Sequence, residues 1–289
     1  MKMSIDQRSA SILQIVRSLP QRTVTATLRN RTGRTTRTFT GALLADYARA
    51  AGLRPRPPSI GFGNYYYVVT AADGFTVSLA YFEVTARATD KQVILACEQD
   101  GEPLRVGLRL VVPGDDLGAR SIVGVVDLQL RGVPSVEPQP VRPRSDVLTL
   151  GGLVAHPGRF SIDDLARFTT HDIQTPPMTG HGSTPIPPRH YTGVLLWDVL
   201  SDAAPIVDPN VNEDLLRRIV VARATDGYAS VISTGEIDPR FMGGNVLIAT
   251  AQEGRPLADA DGQFRLIVPY DKAVGRGLKS LHAIEVHNP

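Results

Sequence analysis

Residues 263–286 read QFRLIVPYDKAVGRGLKSLHAIEV, and the fold turns on how this stretch is read. Leu266-Ile267-Val268 is an apolar strand segment. Pro269 ends it, because proline has no N–H to give to a ladder. A loop with Lys272, Gly275, Arg276, Gly277 and Lys279 follows, and a second apolar run closes the stretch at 281–286. A loop of this kind can aim backbone N–H groups and cations at one anion. A plain hairpin with a solvated basic loop has the same composition, so the stretch alone leaves both readings open.

An earlier stretch has the same plan. Residues 110–130 read LVVPGDDLGARSIVGVVDLQL. Leu110, Pro113, Asp115, Arg120 and Leu128 stand 156 positions before Leu266, Pro269, Asp271, Arg276 and Ile284. The correspondence extends upstream. Phe39-Thr40-Gly41-Ala42-Leu43-Leu44 matches Tyr191-Thr192-Gly193-Val194-Leu195-Leu196 at an offset of 152. Ala71 to Gly74 matches Ala224 to Gly227, and residues 93–104 match 246–257, both at 153. Chance does not hold register over such a distance, so the expectation is a tandem duplication. The expected units are 1–131 and 147–289, with the Pro-rich 132–146 as linker.

Within each unit the elements are short. Val24, Ala26 and Leu28 alternate with Thr25, Thr27 and Arg29, which predicts a half-exposed strand before a turn at Asn30–Gly33. Leu43, Leu44, Tyr47, Ala48 and Ala51 share a helix face that Gly52 can close. Asp73-Gly74 predicts a hairpin. Ser161 to Asp164 opens a short helix with a capping pattern. Strands outnumber helices, so the predicted class is α+β, mostly antiparallel β with short helices.

Composition excludes several functions. Of 289 residues, 31 are basic and 29 acidic, and a net charge of +2 argues against nucleic acid or an acidic membrane surface as partner. Most of the seven arginines between Asp6 and Asp46 read as a solvated strand face. Cys97 is the only cysteine, so neither an intrachain disulfide nor a four-cysteine metal site can form. No stretch is long and apolar enough to span a bilayer, and no signal-peptide core is present, so a cytoplasmic location is expected.

These blocks resemble the oxidoreductase molybdopterin-binding domain, the sulfite oxidase-type fold. The resemblance rests on the Tyr191 to Leu196 lead into a helix, the Gly254-Arg255-Pro256-Leu257 turn, and the loop after Val268-Pro269. In the first unit it rests on Val112-Pro113-Gly114 and Gly118-Ala119-Arg120. The resemblance implies a molybdopterin oxidoreductase in which the loop arginine and lysine approach the phosphate end of the pterin. Carried over, these are Arg276 and Lys279, with Gly275 and Gly277 in the loop, and Arg120 alone in the first unit, where Val123 replaces the lysine. The second unit is therefore expected to hold an anion better, unless both arginines instead tie down their loops through carbonyls or nearby acids such as Asp115 and Asp271.

The resemblance also implies a cysteine thiolate on molybdenum, upstream of the helix lead. The matching windows, residues 23–38 and 171–190, contain no cysteine. Cys97 lies on an apolar strand past the lead and reads as a core residue. No covalently held molybdenum is expected. His171, His181 and His190 do not have zinc-finger spacing, and no nucleophile motif is present. Two functions follow: a molybdopterin-binding oxidoreductase relative without the metal–thiolate centre, which at least binds that cofactor or a similar pterin phosphate, or a non-catalytic module for a small anion or a protein partner.

Overall fold

The computed structural model describes residues 4–30, 33–55, 62–135, 144–180 and 184–289. The predicted turn residues 31–32, the linker segment 136–143 and His181 lie outside them. The chain opens with α1 (Ile5–Ser18), a helix not foreseen from the sequence. Ser4 accepts from the Gln7 N–H while the Gln7 side chain accepts from the Ser4 N–H, a reciprocal cap that satisfies two orphan donors. Ile12 and Val16 bury its inner face.

The first half then runs through β1 (Gln21–Asn30), β2 (Gly33–Leu43), α2 (Leu44–Ala50), β3 (Tyr65–Ala71), β4 (Thr76–Ala80), α3 (Tyr81–Val84), β5 (Ile94–Gln99), β6 (Glu102–Pro103), β7 (Arg109–Val111) and β8 (Val125–Gly132). One sheet has the order β1-β2-β5-β6 with β7 on β5, and a second has the order β4-β3-β8.

The second half runs through β9 (Leu148–Gly152), β10 (Gly158–Phe160), α4 (Ile162–Leu165), β11 (Thr170–Gln174), β12 (Met178–Thr179), β13 (Pro185–Ile186), β14 (His190–Leu195), α5 (Leu196–Asp202), β15 (Ile219–Ala224), β16 (Ala229–Ser233), α6 (Thr234–Ile237), β17 (Leu247–Gln252), β18 (Arg255–Pro256), β19 (Arg265–Ile267) and β20 (Leu281–His287). Its sheets follow the orders β11-β14-β17-β18, with β19 on β17, and β10-β9-β20-β15-β16. The pair β9 and β10 extends the second of these sheets, β9 lying parallel to β20. Every other ladder is antiparallel, so the chain is β-rich with short helices.

The threonine-glycine before each of α2 and α5 has a steric cause. A Cβ on Gly41 would stand 2.0 Å from the Leu95 carbonyl oxygen, and one on Gly193 would stand 2.1 Å from that of Ile248. The ladders β2–β5 and β14–β17 shift register at these glycines, where the backbones close in. The chain then turns straight into α2, whose Leu44, Tyr47 and Ala48 are buried, and Gly52 follows with φ of 74°.

Each half has its own apolar core. Between them lies a seam, with Tyr66 and Val68 of β3 packed on Ile219, Val221, Ala229 and Val231 of β15 and β16. Among the described residues, no helix is long and apolar enough to cross a membrane.

Candidate functional site

The two arginine loops come together at this seam. Arg120 and Arg276 are both completely buried. Arg120 donates from Nε to Asp115 Oδ2 at 2.6 Å and from Nη2 to Oδ1 at 2.5 Å, a bidentate pair. Its Nη1 donates to Glu83 Oε1 at 2.6 Å. Arg276 repeats the pattern, with Nε to Asp271 Oδ2 at 2.9 Å, Nη2 to Oδ1 at 2.6 Å, and Nη1 to Glu236 Oε2 at 2.9 Å. The glutamates come from α3 and α6, at corresponding places 153 residues apart. The planar guanidinium suits this use, because its fork meets a carboxylate edge-on and its charge cannot be removed.

Each short helix also reaches across the seam. A Cβ on Gly235 of α6 would lie 2.3 Å from Arg120 Cδ, so only glycine lets the Arg120 side chain pass. Phe82 of α3 stacks on Arg276, 5.9 Å from centroid to guanidinium, and a Cβ on Gly275 would lie 1.8 Å from its ring. Ser233 Oγ donates to Glu83 Oε2 at 2.9 Å, which joins the second half to the first half's ion pair.

The electrostatics of the two triads diverge. Lys91 Nζ lies 3.0 Å from Glu83 and 3.6 Å from Asp115, so the first triad carries two cations against two acids. Burial alone would raise the Glu83 carboxyl, but Arg120 and Lys91 outweigh it and hold the group at about 2. The position matching Lys91 is Gly244, against which Tyr270 packs. Tyr270 covers Arg276 with its ring, and its hydroxyl has no hydrogen-bond partner among the described residues. One cation there faces two acids. Burial, opposed by Arg276, pushes Glu236 up to about 7, with Glu83 and Asp271 adding to the rise. Arg276 Nη1 lies 2.7 Å from Glu236 Oε1, yet its hydrogen bond goes to Oε2, and Oε1 lacks a well-directed donor.

The remaining loop residues are engaged as follows. Lys279 Nζ pairs with Asp261 at 2.7 Å on a partly exposed surface. The Gly275 carbonyl accepts from the Tyr228 hydroxyl at 2.7 Å. Gly277 is exposed, and a Cβ there would meet the Leu266 carbonyl oxygen at 3.5 Å, an ordinary contact. Lys272 pairs with Asp90 of the first half. Of the two sequence expectations for Arg276 and Arg120, a phosphate or a nearby acid such as Asp271 or Asp115, the structure has the acids in both forks. The glutamates were missed, although their spacing of 153 equals the offset between the matching blocks of sequence.

The loop and the cysteine window do meet. Thr179 N–H donates to the Lys272 carbonyl at 2.7 Å, and Val274 N–H to that of Thr179 at 3.3 Å. The first half has the matching parallel bridge, Arg29 to Leu117. Beside Thr179 and Gly180 a cavity of about 480 Å³ opens, bounded by Ala273, Gly275, Phe82 and Tyr81. No thiol lies there. Cys97 is buried on β5, with Sγ 3.8 Å from Gln21 Oε1, and burial raises its pKa. His171 lies opposite Gly193 and His190 opposite Gln174, so the two do not converge. Among the described residues, no three histidine, cysteine or acidic side chains gather as a metal site.

Residues 132–289, more than half of the chain, match the model of the oxidoreductase molybdopterin binding domain family. The chain belongs to this family. No curated protein matches it. Among solved structures it is similar to the sulfane dehydrogenase SoxCD from Paracoccus pantotrophus, at 18% identity and a TM-score of 0.39 over 57% of this chain. The chain spans 43% of that protein. The molybdopterin-binding family match covers the second triad and the Thr179–Lys272 contact, and it leaves residues before 132 outside.

Proposed function

We propose that the protein is a tandem pair of molybdopterin-binding-type units that acts as a binding module and holds no metal through a cysteine. The observation that carries this reading is the state of the only thiol. A cysteine holds a metal as its thiolate and not as its thiol, and Cys97 is buried in the core of the first half, where burial raises its pKa. The donor set does not fit a thiolate-held metal. The duplication is supported by the repeated strand orders, the paired glycines Gly41 and Gly193, and the two Arg–Asp–Glu triads. In this reading Arg120 and Arg276 order their loops, and a small anionic ligand or a protein partner is met by other groups.

The family match supports a second reading, in which the pterin cofactor itself sits in the junction cavity against Gly275, with Gly277, Arg276 and Lys279 shaping the loop. When bound, such a cofactor supplies redox chemistry; the chain's part is to seat it and keep water away. Metal and pterin analysis of protein made in a cofactor-producing host decides between the readings. The binding module predicts neither molybdenum nor pterin in stoichiometric amount. Pterin without loss on Cys97→Ser supports the second reading. Molybdenum that disappears with Cys97→Ser overturns both.

A further inference from the structure

A second cleft, of about 800 Å³, opens in the first half among the start of β1, α2 and residues 84–92. Its size is that of a small-molecule site. Its charges do not balance. Of the two acids that line it, Asp46 pairs with Arg49 at 3.2 Å and Asp90 with Lys272. Lys91 is committed to Glu83 and Asp115. Arg22, Arg54 and Arg87 also line it, are exposed, and make no ion pair among the described residues. Like charges on one concave wall repel each other, and the field they focus draws an anion in.

The lip of the cleft is aromatic. Tyr67 and Tyr81 stack with centroids 5.9 Å apart and planes at 26°. Phe62 lies 6.1 Å from Tyr81 and is 38% exposed. Phe62 also holds φ at 59°, a left-handed conformation that a bulky side chain rarely adopts, and such positions cluster at ligand sites. An exposed flat ring beside unpaired guanidinium groups offers stacking and charge to one ligand.

We propose that this cleft binds a mononucleotide-type ligand, its phosphates on Arg22, Arg54 and Arg87 and its base against Phe62 and Tyr81. The cleft adjoins the junction cavity and shares Phe62, Tyr81 and Arg87 with it, so a pterin there would compete for the same aromatic lip. Arg22 and Arg54 line this cleft and not the junction cavity, so replacing them tests this site alone.

Calorimetric titration with ADP, pyrophosphate and adenosine, at low and moderate salt, tests the proposal. ADP should bind more tightly than either fragment, and more weakly as salt rises. The double variant Arg22→Ala with Arg54→Ala should lose about tenfold or more in ADP affinity with an unchanged melting temperature. The control pair Arg159→Ala with Arg255→Ala, which removes two exposed charges elsewhere, should bind ADP as the parent does. No ADP binding in the parent at millimolar concentration overturns the proposal. Equal loss in the control pair, or pyrophosphate or adenosine binding as tightly as ADP, overturns it too.

Discussion

The two triads use the same three residue types, yet their glutamates are shifted in opposite directions. In the first, Lys91 joins Arg120 against Glu83 and Asp115. In the second, the lysine position is Gly244 and the position matching Gly114 is Tyr270, so an aromatic ring stands in for the cation's bulk but not its charge. A pair of compensating substitutions therefore preserves packing and changes the electrostatics. One glutamate is held down at about 2 and its counterpart is pushed up to about 7. Geometry alone does not decide the protonation state of a buried carboxyl; the balance of charge around it does.

The largest test of this contrast is a matched pair of variants. Glu83→Gln strips a charge from a neutral buried cluster and leaves two cations facing one acid. It should cost about 3–5 kcal/mol in urea unfolding. Glu236→Gln replaces a group already half-protonated at pH 7 by a neutral amide, and should cost less than about 1 kcal/mol there. Equal costs would show that the two triads are electrostatically alike.

The pH profile comes next. Glu236 has a folded pKa near 7, above its unfolded value of about 4.3, so the folded state binds the proton more tightly. Its contribution is complete below the unfolded pKa and is lost as pH rises through 7. The shift corresponds to a fall of about 3 kcal/mol between pH 4.5 and 7. Glu83 has the opposite sign, and its contribution is lost only as pH falls through about 2. His282, which burial holds below its usual value, contributes with rising pH instead, so the difference between parent and Glu236→Gln isolates the carboxyl. Parallel profiles for the two proteins would break the assignment.

A smaller effect is expected at the loop. Gly275 faces the Phe82 ring, whereas its first-half counterpart, Ala119, already carries a Cβ. Gly275→Ala should cost about 1–3 kcal/mol by overpacking. Phe82→Leu in the same chain should recover part of that, and a double-mutant cycle with no coupling would mean that the ring moves freely. The smallest effect belongs to Cys97→Ser. A near-isosteric change beside Gln21 should cost about 1 kcal/mol and leave metal content as it was.

The correspondence between the halves was legible because glycines, prolines and arginines at fixed offsets report backbone needs that burial cannot hide. Gly41 and Gly193, the Asp73-Gly74 turn and the Ser161 cap were readable for the same reason: each is a local rule written in local residues. The capped start of α1 at Ser4 and Gln7 obeys such a rule as well, but weak periodicity before the first strand concealed the helix. The sequence offered Asp115 and Asp271 as partners of Arg120 and Arg276 but could not choose them over an anion, nor find the glutamates. A basic residue in a glycine-rich loop looks the same whether it faces solvent or an acid forty residues upstream, such as Glu236 for Arg276. Glu83 and Glu236 sit in four-residue helices with no motif of their own, and the excess of positive charge in the first-half cleft arises only when β1, α2 and the 84–92 segment meet.

The seam has a consequence for how the molecule is taken apart. The segment that family ancestry marks off begins at residue 132. Excised there, it would bare Ile219, Val221, Ala229 and Val231 to water, remove the ring that covers Gly275, and leave Ser233 without its acceptor. Family likeness and packing therefore draw different borders on this chain: the matched segment ends where its own buried surface is still unfinished.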